Sequence, residues 1–225
     1  EDIVGRADAM RGAGADVIDL GCLPDTPFDH LEATVRALKA AGHRVSVDSA
    51  NPDELARATR AGADFLLSLT EETLDIAREG EAVPILVPAR PHDFASLERA
   101  IDRAREMGIA FIADPILDPI HFGFAASLVR YHRLREAHPD VEILMGTGNL
   151  TELTDADTSG ITATLLGICS ELAIRNLLVV HVSPHTRRTV EEHDAARRMM
   201  FAARADGALP RGYSGALLQV HDVKP

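Results

Sequence analysis

The chain has 225 residues, 46% of them hydrophobic but only 4% aromatic and none tryptophan, which fits one α/β domain with a core of Leu, Ile, Val and Ala. Its formal net charge of -12 argues against a general nucleic-acid or anionic-membrane partner. The two cysteines, Cys22 and Cys169, lie far apart without CxxC spacing, and no signal-peptide pattern or 18-residue apolar run is read, so the cytoplasm is the expected compartment.

Taken in order, helical and strand patterns alternate. Residues 3–12 read as a helix, 16–21 (DVIDLG) as a strand and 28–41 as a helix. The run 44–69 then forms one strand–helix–strand unit. Val45 and Val47 lead to Asp48, Ser49 or Asn51 can cap a helix opening on Pro52, and AGAD returns the chain to strand 65–69. A short helix over 71–79, a strand over 84–88 and a helix over 94–107 follow. Strand 109–114 (IAFIAD), helix 124–137, strand 141–146 (VEILMG) and helix 161–175 come next, then strand 177–182 (LLVVHV) and helix 189–204.

The strands are short and apolar on both faces, as a helix-covered parallel sheet requires. Glycine recurs just before strands at Gly14, Gly62 and Gly108, where it ends the preceding helix. Seven strands with a helix in front leave either an open sheet or a TIM-type (β/α)8 barrel lacking its first strand in this chain, and the recurring glycine turns favour the barrel. The barrel domain spans residues 1–206, and 207–225 is a C-terminal tail or the start of a further segment.

At the carboxyl ends of these strands stand Asp19, Asp48, Ser68, Arg90, Asp114, Asn149 and His181, and a barrel converges such positions on one mouth. Metal-site spacing is absent: there is no HxH, HExxH or facial triad. Two carboxylates facing a heterocycle with adjacent N–H donors suit Asp48 and Asp114 better, because such charge-assisted bonds are strong. Plainer roles stand beside these. Asp48 and Asp114 can cap the following turns, Asp19 can support the mouth by hydrogen bonds, Asn149 can be a turn residue, and His181 can be a satisfied core histidine. Arg187, Arg188, Arg197 and Arg198 read as a solvated helix face.

Four motifs carry a resemblance. VSVDS followed by AGADFLLS resembles the SVDT…GADIIND segment of dihydropteroate synthases, and GADVIDLG resembles their GADIIDIGGES. FIADPILDP resembles their DPG strand, and more closely the IDPLILP of corrinoid-dependent methyltetrahydrofolate methyltransferases, whose GLSNVS is similar to MGTGNLTE. The segment RRTVEEHDAARRMMFAARADGALPRGYSG is similar to dihydropteroate-synthase-like proteins found beside tetrahydromethanopterin genes.

The resemblance implies a pterin-binding barrel in which Asp48 and Asp114 hold the pterin ring, with Asn149 facing its N5 region and Asp19 nearby. It gives His181 the place of a diphosphate-binding histidine, with Arg187 or Arg188 supplying further charge. Three departures stand out: Leu67 replaces an asparagine, Gly148 and Asn149 replace a lysine, and Val179 replaces an arginine. A proline-led loop after His181 offers backbone N–H groups to a phosphate. A later VHDV at Val220–Val223 follows the last helix and is read as chance.

The implied activity is a transferase that joins a hydroxymethyl-dihydropterin diphosphate to an arylamine in (methano)pterin biosynthesis, with Mg2+ assisting. The implied assembly is a homodimer with small-molecule partners. The alternatives are a pterin-dependent methyltransferase acting with a corrinoid protein, or a pterin-binding subunit without chemistry.

Overall fold

The computed structural model describes residues 2–24 and 26–218; the second VHDV lies outside them. Among the described residues seven strands alternate with helices in chain order, five pairing in parallel in one sheet and two in another. The elements are α1 (Ile3–Ala13), β1 (Ile18–Gly21), α2 (Leu31–Ala40), β2 (Val45–Asp48), α3 (Pro52–Ala61), β3 (Phe65–Leu69), β4 (Val83–Leu86), α4 (Phe94–Glu106) and β5 (Ile112–Ala113), then α5 (Phe124–Ala137), β6 (Leu144–Gly146), α6 (Gly148–Thr151), α7 (Thr158–Glu171), β7 (Asn176–Leu178) and α8 (Thr189–Ala205). Contacts divide the chain into two compact units, one ending at Pro115 and the other beginning at Ile116.

In the first unit the strands follow sequence order, β1-β2-β3-β4-β5, all parallel. Each strand is followed by a helix or turn that returns the chain to the next position, which parallel pairing demands. The sequence fits these roles locally. In α2, Leu31, Val35 and Leu38 recur every three or four residues and are all buried, at about 1.5–3 kcal/mol for each side chain removed from water. In α4 the buried face is Leu97, Ala100, Ile101 and Ala104, so truncating Leu97 to Ala would cost about 2–5 kcal/mol. Helix α3 opens on Pro52 with Asn51 as its cap, whose side-chain oxygen accepts from the Asp53 N–H at 3.0 Å, and it stops at Gly62 with φ 96°. Asp64 fastens the amino end of this sheet, because its carboxylate takes the Val45 N–H and the Lys39 ammonium, each at 2.7 Å.

The second unit pairs β6 with β7, in register from Leu144 opposite Asn176 to Gly146 opposite Leu178. Tyr131, Leu134, Ile143, Met145, Leu165, Cys169 and Ala196 are buried within it.

Several boundaries differ from expectation, each for a physical reason. Only Ile112–Ala113 of the expected strand 109–114 joins the ladder. One step back along the β4 register stands Pro84, which has no N–H to donate. The expected strand 177–182 is Asn176–Leu178, because its partner β6 stops at Gly146, where the chain turns into α6. His181 is therefore on the segment after the strand rather than within its carboxyl end. The short helix expected over 71–79 is a 3-10 helix over Leu74–Glu79, and α7 begins at Thr158 instead of Ile161. Among the described residues after Gly207 there are only turns and bends.

Candidate functional site

In the first unit, register assembles a small polar group. Asp19 pairs with Ser46, Gly21 with Asp48, and Asp48 with Leu67. Because side chains two apart share a face, Asp19, Ser46 and Asp48 line one side of the sheet. The Ser46 hydroxyl donates to Asp19 at 2.5 Å and the Ser68 hydroxyl donates to Asp48 at 2.7 Å. Ser68 reaches Asp48 because it adopts φ 71° where the β3–β4 register shifts between Leu66 and Leu69. Gly21, opposite Asp48, has no side chain, and a Cβ built there would meet nothing within 4 Å. Burial pushes the Asp19 carboxyl up to about 6; the Ser46 hydroxyl opposes this and the Asp48 charge adds to it. Asp114 stands just past β5, buried, with its N–H donating to the Leu86 carbonyl at 2.8 Å.

A second carboxylate buttresses this region. Glu54, in the first turn of α3, is buried and accepts from the Ser49 hydroxyl at 2.5 Å and from the Phe28 N–H at 3.1 Å. The Ser49 bond outweighs the burial that opposes it, and bonds from Phe28 and Cys22 help, so its carboxyl lies below the usual range. Burial, with the Glu54 charge beside it, pushes the Cys22 thiol up to about 12. The Asn51-x-x-Glu54 spacing is a capping-box signature that could have drawn attention to Glu54. The carboxylate nonetheless turns away from the cap, to tie the entry of α2 to the end of β2.

In the second unit, Asn149 lies on α6 and donates its amide to the Leu117 carbonyl at 2.7 Å, while Asp118 pairs with Arg130 at 2.6 Å. Thr147, before α6, is buried and meets His193 Nε2 at 3.0 Å; His193 Nδ1 faces the Thr189 carbonyl at 2.6 Å. A carbonyl only accepts, so the proton is on Nδ1, and Nε2 faces the Thr147 hydroxyl, which also stands 3.2 Å from the Leu178 carbonyl. Burial lowers the His193 pKa despite the Thr189 bond, which keeps the ring neutral. Gly148 packs against Val180: a Cβ there would lie 2.5 Å from Val180 Cγ2.

The loop after β7 differs from the reading of it as a phosphate cradle. Its N–H groups are taken: Glu152 accepts from Val182 N at 2.7 Å, Ser183 N at 3.1 Å and the Thr186 hydroxyl at 2.6 Å. No pattern in the sequence signalled Glu152, whose partners lie 30 or more residues away. His181 is half-buried and Arg187 and Arg188 are exposed; among the described residues no side-chain partner stands against any of the three. Arg197 and Arg198, by contrast, pair with Asp194 on their own helix at 2.5 and 2.8 Å. No group of three or more His, Cys, Asp or Glu side chains that could hold a metal occurs among the described residues. Nor is any helix among them long and apolar enough to cross a membrane.

No family model matches the chain. It is 29% identical over 232 residues to an uncharacterized protein of Methanocaldococcus jannaschii; that match takes in 94% of this chain, which spans only 44% of that protein's length. Among solved structures, the dihydropteroate synthase of Thermus thermophilus is similar at 25% identity and TM-score 0.67, covering 90% of this chain and 89% of that one. The same enzyme in complex with 6HMPPP is similar at 24% identity and TM-score 0.69, over 89% of this chain and 88% of that one. The Burkholderia cenocepacia dihydropteroate synthase complexed with 7,8-dihydropteroate is 19% identical with TM-score 0.69, over 92% and 88%. The chain thus has the α/β fold of the dihydropteroate synthases, which are TIM-type barrels.

Proposed function

We propose that this chain is a dihydropteroate-synthase-like transferase that joins a hydroxymethyl-dihydropterin diphosphate to an arylamine. The observation that carries the reading is the pair Asp48 and Asp114, carboxylates at the ends of β2 and β5 on the fold of the synthases. A pterin presents its 2-amino group and N3–H side by side, and carboxylates accept such donors in charge-assisted bonds. Asp19 and Ser68 support this grip through the hydroxyl bonds on their shared sheet face.

In the reaction the arylamine nitrogen attacks the methylene carbon. The C–N bond forms, the C–O bond to diphosphate breaks, and diphosphate leaves with the electron pair while the amine loses a proton to solvent. The protein contributes positioning and electrostatic stabilisation of the leaving anion. The cations for an anion are Arg187 and Arg188, with His181 beside them in sequence, all in the second unit. Mg2+ enters this reading as an ion held largely by the diphosphate oxygens. In the methanopterin-type form of this reading, which rests on the resemblance of the segment from Arg187 to Gly215, the arylamine itself bears a phosphate.

A second reading has a specific observation behind it. The loop N–H groups are occupied by Glu152, and Leu67 and Val179 replace polar residues of the synthases, which favours pterin-dependent methyl transfer to a corrinoid protein or a non-catalytic pterin-binding subunit. In the second unit the Asn149 amide N–H₂ is engaged with the Leu117 carbonyl.

Paired assays decide between the readings: hydroxymethyl-dihydropterin diphosphate with 4-aminobenzoate or a phosphate-bearing arylamine, beside methylated pterin with a corrinoid protein. Product in the first assay is expected, and turnover only in the second overturns the synthase reading. Asp114→Asn should weaken pterin binding by about 2–5 kcal/mol, because an acceptor in a buried pair becomes a donor. Undiminished affinity in a titration with oxidised pterin would refute the assignment of Asp114.

A further inference from the structure

Three donors in the second unit converge on one point: the N–H groups of Val182 and Ser183 and the hydroxyl of Thr186. Consecutive backbone N–H groups with a hydroxyl beside them form the kind of concavity that binds phosphate oxygens. Two exposed arginines without a side-chain partner among the described residues, Arg187 and Arg188, follow directly. The group filling this concavity is the carboxylate of Glu152, from the residue that ends α6, and both of its oxygens are used.

We infer that Glu152 is a built-in oxyanion: it occupies a donor cluster otherwise fit for a phosphate group, and by doing so positions the segment that carries Arg187 and Arg188.

The rest of this junction is knit in the same direction. His185 Nε2 donates to the Thr151 carbonyl at 3.0 Å, Thr147 N donates to Leu178 O at 2.9 Å, and Gly148 lies flat against Val180. A second anion cannot share the cluster with a carboxylate that holds every donor, so repulsion and lack of donors together exclude phosphate. Burial would raise the Glu152 pKa, but bonds from Ser183, Thr186 and the N–H groups of Val182 and Ser183 outweigh it and bring it down to about 2, so the group is an anion at any physiological pH. Glu152 is thus a positioning residue, and it determines that a phosphate near this loop is met by arginine side chains rather than by backbone.

The test uses the full chain with Glu152→Ala and Glu152→Gln, inorganic phosphate as the probe, and chloride at matched ionic strength as the control. Hydrogen exchange over residues 180–188 reports on the loop itself. In the parent, Val182 and Ser183 should be protected whether or not phosphate is present. In Glu152→Ala their exchange should quicken at least about tenfold, and phosphate, but not chloride, should restore protection as it fills the cluster. The same variant should show a saturable rise in Tm of roughly 3–6 °C at about ten times the dissociation constant. Glu152→Gln keeps the size and one acceptor oxygen, so it guards against a variant that fails to fold; its exchange should lie between the other two. Equal protection in parent and both variants, or quickened exchange that phosphate does not reverse, overturns the inference. No pterin enters this experiment, so its failure leaves the proposed transferase reading untouched, and failure of that reading leaves this one standing.

Discussion

Replacing Asp19 by Asn should make the protein more stable at neutral pH. Asp19 sits on β1 facing the strand that carries Ser46 and Asp48, and burial, reinforced by the Asp48 charge, lifts its carboxyl to about 6 from an ordinary 3.8. A folded-state pKa above the unfolded value means that ionisation is harder in the folded chain. The contribution to stability is therefore whole below about 3.8, is lost as pH rises through about 6, and stays lost above that. At 1.36 kcal/mol per pK unit the full penalty is about 3 kcal/mol, and because Asp19 is only part-buried solvent screens it to roughly 2. Asparagine carries no charge at any pH, yet its side-chain oxygen still accepts from the Ser46 hydroxyl now 2.5 Å from Asp19. Urea unfolding of parent and Asp19→Asn at pH 4, 5, 6 and 7.5 checks the reasoning. The two should nearly coincide at pH 4 and diverge by roughly 2 kcal/mol at pH 7.5, with the variant ahead. A pH-independent difference, or a variant less stable than the parent at pH 7.5, would refute it. A carboxylate retained at such a cost is what a binding site needs and a structural prop does not.

Glu54→Ala should cost about 2–4 kcal/mol in urea unfolding, because the Ser49 hydroxyl and the Phe28 N–H both lose their acceptor inside the protein, and Glu54→Gln about half as much. Gly148→Ala should cost about 1–3 kcal/mol, since the new methyl would lie 2.5 Å from Val180 Cγ2. Adding Val180→Ala should recover part of that loss, and a double-mutant cycle measures the coupling directly.

How much of this was legible beforehand varies along the chain. The unit from Val45 to Leu69 was readable to the residue because each signal in it is local: apolar alternation, a cap at Asn51, Pro52 in the first turn and glycine at 62. Helix α5 was equally plain. Strands β5 and β7 were overestimated because apolar composition marks what can pair, whereas pairing needs a neighbour that can bond: Pro84 within β4 has no N–H to give β5, and β6 ends at Gly146 beside β7. The four-residue turn α6 has too little length to show a period, so it was invisible. At the candidate site, Asp48 and Asp114 were legible as carboxylates at strand ends and Ser68 as a residue near them, whereas Asp19 stands on the second residue of β1 rather than at its end, and the hydroxyl bonds that hold Asp19 and Asp48 were not legible.

The sequence by itself therefore determined the βα alternation, the strand-end placement of Asp48 and Asp114 and the glycine stops, since these rest on contacts within a few residues. Only the tertiary structure decided that Ser68 turns back onto Asp48, that Glu54 leaves its cap for Ser49 and Phe28, and that Glu152 fills the loop expected to be open to phosphate. Most of those partners stand 20 to 34 residues apart. A hydrogen bond is made or lost within a few tenths of an ångström, and such distances are set by how strands and helices pack, which no local pattern of residues encodes.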